Sequence, residues 1–118
     1  MTKSGADLVD EAKSRVIEID AANAIMQQAN GNTVFLDVRE PNEWNLGHVP
    51  NALHIPRGQL EGQVEGSLNR DKNIVIYCAA GFRSVLAADT LRQMGYEHVT
   101  SLKGGFRSWA ESGGDIED

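Results

Sequence analysis

Short apolar runs alternate with amphipathic stretches along most of this chain. Arg15-Val16-Ile17-Glu18-Ile19 is rich in β-branched residues and is expected to form a strand, after which Asp20 can cap a helix running through Ala21, Ala22, Ala24, Ile25 and Met26. Asn30-Gly31-Asn32 ends that helix. Thr33-Val34-Phe35-Leu36 has the unbroken apolar character of a strand buried on both faces. Pro41 suits the first turn of a brief helix containing Trp44, Gly47 to Ala52 reads as a turn, and Leu53-His54-Ile55 reads as a strand stopped by Pro56.

Residues 57–72 carry Leu60, Val64 and Leu68 at every fourth position, a narrow helical stripe weakened by Gly58, Gly62 and Gly66. Asn73-Ile74-Val75-Ile76-Tyr77 is the strongest strand signal, and an amphipathic helix is expected from Ser84 to about Met94, with Gly95 as its C-cap. Val99 to Leu102 supplies a last strand, Lys103-Gly104-Gly105 a tight turn, and Phe106 to Ala110 the start of a closing helix. Such alternation predicts an α/β fold with an open, mainly parallel central sheet and helices on both faces. Residues 1–14 are expected to be a tail or short helix, residues 15–112 the domain, and residues 113–118 a loose acidic tail.

Composition narrows what this domain can do. A chain of 118 residues supports one core and one site. A formal net charge of −6, with no block of Lys or Arg, repels nucleic acid and anionic membranes, so neither is expected as a partner. The single cysteine rules out an intramolecular disulfide and a Cys-rich metal site. Neither a signal-peptide-like apolar run near Met1 nor a span of roughly 20 apolar residues is present, so the expectation is a cytoplasmic protein with no metal and no cofactor.

In open parallel sheets, ligands bind beyond the carboxyl ends of the strands. Asp37 and Arg39, the stretch Cys78 to Arg83, and Lys103-Gly104-Gly105 all follow predicted strands and should share that edge. A lone cysteine is often just a small buried hydrophobe. Cys78 sits instead between a strand and a helix, where unpaired N–H groups and the positive end of the helix dipole favour an anion, so it is expected to be a thiolate. Gly81 lets the loop curl into a nest of N–H groups, and small Ala79 and Ala80 leave room for a second sulfur. Arg83 could hold an oxyanion or fold back to brace the loop. Asp37 and Arg39 could form a structural ion pair or touch substrate. His48 and His54 read as loop hydrogen-bonding residues; Trp44, Phe106 and Trp109 read as packing residues, although Trp44 or Phe82 could rim the pocket.

Cys78-Ala79-Ala80-Gly81-Phe82-Arg83-Ser84 resembles the six-residue active-site loop of rhodanese domains. Asp37-Val38-Arg39-Glu40 with Glu43-Trp44, Gly47-His48-Val49-Pro50-Asn51-Ala52, Ile55-Pro56, and Gly104-Gly105-Phe106 with Trp109 resemble other signatures of that family, in order, over about residues 16–112. The resemblance implies a thiosulfate sulfurtransferase in which Cys78 is the nucleophile and carries sulfur as a persulfide. It also implies that Ala79, Ala80, Gly81, Phe82, Arg83 and Ser84 bind substrate. The partners implied are a small anionic sulfur donor and an acceptor that is cyanide, a small thiol or a thiol protein. The loop departs from common forms in lacking a lysine and carrying Phe82, and it differs from the Cys-Gly-Ser/Thr-Gly type of mercaptopyruvate sulfurtransferases. One rival is a sulfur-relay or binding module. Another is a phosphatase or arsenate reductase of related fold, whose loop has five residues between cysteine and arginine where this chain has four.

Overall fold

Four residues into the chain, Ser4 accepts the Asp7 backbone N–H while Asp7 reaches back to the Ser4 N–H, a reciprocal cap that starts helix α1, Gly5–Lys13. This is a computed structural model, and it describes residues 2–118. The remaining elements run β1 (Ile17–Ile19), α2 (Ala21–Asn30), β2 (Thr33–Asp37), α3 (Pro41–Asn45), β3 (Leu53–His54), α4 (Leu60–Ser67), β4 (Asn73–Tyr77), α5 (Phe82–Gln93), β5 (Val99–Leu102) and α6 (Gly105–Glu111). The five strands form one sheet in the order β1-β5-β4-β2-β3, every pairing parallel. This is the α/β architecture that the alternation of elements predicts.

Residue parity on β4 divides the core. Ile74 and Ile76 face one side with Leu36, Val38, Leu60, Val64, Ala87, Leu91 and Tyr96, under α4 and α5. Val75 and Tyr77 face the other with Phe35, Val49, Leu102 and Trp109, beside α2 and α6. An interior strand buried on both faces needs an apolar residue at every position, which explains the unbroken runs in β2 and β4. Cys78 follows this parity and packs its stem with Ile74 and Ile76 beneath α5.

Two expectations need correction. The predicted helix over residues 57–72 is a 3-10 turn at Arg57–Gln59 followed by the eight-residue α4. Leu60 and Val64 hold it to the sheet, each worth about 1.5–3 kcal/mol of buried side chain, while Leu68 lies just beyond its end. The buried Tyr96 hydroxyl donates to the Leu68 carbonyl at 2.8 Å and also approaches that of Val64, which already accepts the Leu68 N–H, so it ties the end of α4 to the core. The acidic tail is not loose either. Glu117 and His48 exchange both backbone hydrogen bonds, at 2.9 and 2.8 Å, and the Trp109 indole N–H donates to the Asp115 carbonyl at 2.7 Å.

Candidate active site

Cys78 is the first residue after β4, and Gly81, three positions on, sits at φ 102° as the N-cap of α5. That left-handed turn aims the backbone inward, and a Cβ at Gly81 would lie 3.1 Å from the Gly104 nitrogen, so shape and conformation both call for glycine. The Cys78 sulfur accepts the N–H of Gly81 at 3.1 Å and of Ser84 at 3.3 Å, and the Ser84 hydroxyl oxygen lies 3.5 Å away. Cys78 is only 1% exposed. Its stem lies among apolar side chains, but the sulfur itself is met by amide and hydroxyl dipoles, the surroundings an anion requires.

Behind this cradle stands a residue that the sequence did not announce. Ser101 on β5 is fully buried and its Oγ lies 2.9 Å from Ser84 Oγ, which also lies 3.2 Å from the Gly81 carbonyl. Ser101 occupies the face of β5 that α5 covers, where parity calls for an apolar side chain; a small polar residue there was the available signal.

The Gly104-Gly105 turn proves to be part of the same construction. A Cβ on Gly105 would come within 2.5 Å of the Cys78 carbonyl oxygen. Phe106 N–H donates to that carbonyl at 2.8 Å and Arg107 N–H to the Ala79 carbonyl at 3.1 Å. The start of α6 therefore holds the loop's carbonyls away from the sulfur, leaving its N–H groups to face inward.

Asp37, Arg39 and Arg83 all come to this edge. Arg39 Nε and Nη2 grip the Asp37 carboxylate at 2.8–3.1 Å, its Nη2 also donates to the Gly47 carbonyl at 2.7 Å, and its guanidinium lies 4.4 Å from the centre of the Phe106 ring. Burial opposes the guanidinium's charge, but the hydrogen bonds and charge of Asp37 outweigh it and hold its pKa above the ordinary value. Arg83 reaches toward α3, where its two terminal nitrogens contact the Glu43 carboxylate at 3.1 and 3.2 Å. That contact, against some opposition from burial, lowers the Glu43 pKa. Burial pushes the Tyr77 phenol far above its usual range, so it stays protonated while its oxygen accepts the Val49 N–H at 3.1 Å.

Phe82 is 59% exposed at the tip of the loop and lines a cavity of about 640 Å³ with Lys13, Glu18, Asp20, Ala80 and Lys103. Trp44 is sandwiched between the rings of His48, at 3.4 Å, and His54, at 4.8 Å. His48 Nδ1 lies 3.1 Å from the Trp44 carbonyl and His54 Nε2 2.8 Å from that of Arg39. Among the described residues, no group of three or more His, Cys, Asp or Glu side chains converges as a metal site, and no helix is long and apolar enough to cross a membrane.

A parallel sheet with a cysteine cradled by amides at its carboxyl edge defines an α/β fold whose single buried cysteine is consistent with sulfur-relay chemistry. The family model for the Rhodanese-like domain matches residues 20–112, and the chain belongs to that family. It is 44% identical over 83 residues to the uncharacterized YqhL of Bacillus subtilis, covering 70% of this chain and 63% of that protein. A protein of Allochromatium vinosum named as a sulfurtransferase is 36% identical over 99 residues, covering 83% of this chain and 92% of that one. The chain spans about three fifths of the length of YqhL and of YrkF, another B. subtilis relative (63% and 58%). Among solved structures, one from Rhodopseudomonas palustris, described as of unknown function and a possible tyrosine phosphatase, superposes with a TM-score of 0.91 at 35% identity, covering 99% of this chain and 96% of that one. A rhodanese-related protein of Thermoplasma volcanium gives 0.77 at 34% identity, covering 86% and 97%.

Proposed function

We propose that the protein is a sulfurtransferase that moves sulfane sulfur from thiosulfate, or a related anionic donor, to cyanide or a thiol through a persulfide on Cys78. The observation that carries this reading is the pair of N–H donors on the Cys78 sulfur, from Gly81 and Ser84. Such donors stabilise a thiolate before reaction and a persulfide anion after it. In the first step the thiolate attacks the outer sulfur of thiosulfate: a bond forms between Cys78 Sγ and that sulfur, the donor's S–S bond breaks, and its electron pair leaves with sulfite. In the second, cyanide attacks the terminal sulfur, thiocyanate departs, and the electron pair of the cleaved S–S bond restores the thiolate. Ala79, Ala80, Gly81, Phe82, Arg83 and Ser84 form the loop around that sulfur, and Asp37 and Arg39 hold its wall. A lone working thiol suits a reducing, cytoplasmic setting.

Intact mass spectrometry tests the reading. Thiosulfate should add the mass of one sulfur atom, cyanide or a reductant should remove it, and Cys78→Ser should gain nothing; a wild type that gains no sulfur would end the hypothesis. The same experiment separates an enzyme from a relay module: thiocyanate accumulating well beyond one equivalent per chain supports turnover, while stoichiometric loading without turnover supports relay.

The R. palustris relative described as a possible tyrosine phosphatase favours weighing a second reading. Only four residues separate Cys78 from Arg83, a tighter loop than the five-residue phosphatase form, and the Arg83 fork is already engaged by Glu43. Aryl phosphate hydrolysis that disappears in Cys78→Ser would establish the phosphatase instead.

A further inference from the structure

On the α6 side of Ala80 lies a second cavity, of about 380 Å³, lined by Arg39, Ala79, Ala80, Phe106 and Arg107. It abuts the two residues that follow Cys78. Arg39 is 5% exposed, and three of its groups are spoken for: backbone N–H, Nε and Nη2. Among the described residues its Nη1 has no partner, yet no buried side-chain nitrogen or oxygen among them lacks one. Nη1 therefore reaches solvent, and the cavity is the space that Arg39 lines. The grip of Asp37 and the stack on Phe106 fix the direction in which it points.

The charges nearby differ in what they can offer. Of the 11 Lys and Arg residues, seven make ion pairs among the described residues, leaving Lys13, Lys72, Lys103 and Arg107. Lys13 and Lys103 share the larger cavity with Glu18 and Asp20, which cancel much of their field. The charge of Arg83 is answered by Glu43 and that of Arg39 by Asp37. Arg107 alone brings an unanswered positive charge to the smaller cavity. Attack of a thiolate on a doubly charged donor brings three negative charges together in a chain that already carries −6, so a local cation is needed to lower that repulsion.

We infer that Arg39 and Arg107 form a subsite for the oxyanion end of the sulfur donor, Arg39 through the directed donors on Nη1 and Arg107 through its charge. The sulfonate group rests in the cavity between them, beside the two residues that follow Cys78. The inference builds on the sulfurtransferase reading, but anion selectivity at Cys78 can be measured without sulfur transfer.

Cys78 is the only cysteine, so alkylation reports on it alone. The rate with anionic iodoacetate relative to neutral iodoacetamide, normalised to a small free thiol, should favour the anion in the wild type and lose that preference in 0.5 M salt, where the Debye length is only about 4 Å. Arg107→Gln should lower the ratio about three- to fivefold, the effect of a partly screened charge. Lys72→Gln, which removes the same charge from the residue preceding β4 at the far end of the sheet, should not change it. With thiosulfate, Arg107→Gln should raise the concentration giving half-maximal persulfide loading and leave the saturating rate unchanged. The inference is overturned if the wild type reacts with neither reagent or with both alike, if Arg107→Gln matches the wild type, or if Lys72→Gln matches Arg107→Gln. Loss of anion preference in Arg107→Gln in a protein that thiosulfate never loads would keep the anion subsite and sink the sulfurtransferase reading.

Discussion

Two carboxylate–arginine pairs stand at the same edge of the sheet and do different work. Asp37 and Arg39 are two residues apart, with side chains 0% and 6% exposed, and the carboxylate also takes the Arg39 backbone N–H at 2.8 Å. Glu43 and Arg83 are forty residues apart, with side chains 29% and 38% exposed, and they join α3 to the first turn of α5. A buried pair cannot be relieved by water when one partner is removed, whereas a half-exposed pair can. The first therefore belongs to the architecture of the site and the second to its adjustment.

The contrast breaks if the two pairs respond alike, and the largest expected response is at Asp37. Asp37→Asn leaves the largely buried Arg39 without its paired carboxylate, with the Gly47 carbonyl, the Phe106 and Tyr77 rings and the more distant Glu43 charge beside it. A loss of about 3–5 kcal/mol is expected, a large share of the stability of a domain this size. Urea denaturation read by Trp109 and Trp44 fluorescence measures it. A loss below about 1 kcal/mol, the surface-pair range, would mean that the pair is not structural and that the wall of the smaller cavity is softer than its geometry implies.

The sequence showed one of these pairs far better than the other, for a physical reason. Asp37 and Arg39 adjoin a strand end, where local spacing already brings them together. Nothing local points Arg83 at Glu43, so the loop pattern left two roles open for it, and the contact with Glu43 arises only in the tertiary fold. The same divide runs through the molecule. The β4 strand and its exit at Cys78 were legible because burial on both faces forces an unbroken apolar run. The tail was not, because backbone bonds between His48 and Glu117 tie it down and these make little demand on side-chain identity. Gly114 was a faint clue: a Cβ there would strike the Trp109 indole at 2.3 Å. The α4 boundary was blurred because Gly58, Gly62 and Gly66 all face open space, so packing gave them no role to read.

A milder effect is expected where the second pair is cut. Arg83→Gln should cost about 0.2–1 kcal/mol and leave the preference of Cys78 for iodoacetate nearly intact, because Glu43 already absorbs the Arg83 charge. A collapse of that preference in Arg83→Gln, measured beside Arg107→Gln, would move anion recognition from the smaller cavity to the loop's own arginine.

The smallest effect is the dependence of this second pair on acid. The hydrogen bond and charge of Arg83 lower the pKa of Glu43 in the folded protein, against some opposition from burial. A group whose folded pKa lies below its unfolded value binds fewer protons when folded, so its stabilisation is complete above the ordinary carboxylate range and disappears as pH falls through the lowered folded value. Wild type should therefore exceed Glu43→Gln in stability near neutral pH by a fraction of a kcal/mol, of order 0.5, and the two should converge in acid. Asp89, whose pKa Arg15 and then Arg92 lower against some opposition from burial, titrates in both proteins and drops out of the difference. Paired urea titrations from neutral pH down through the carboxylate range would read it. A gap that stays constant with pH would show that Glu43 contributes through packing on α3 and not through its charge, and the two pairs would then differ in the kind of interaction as well as in its strength.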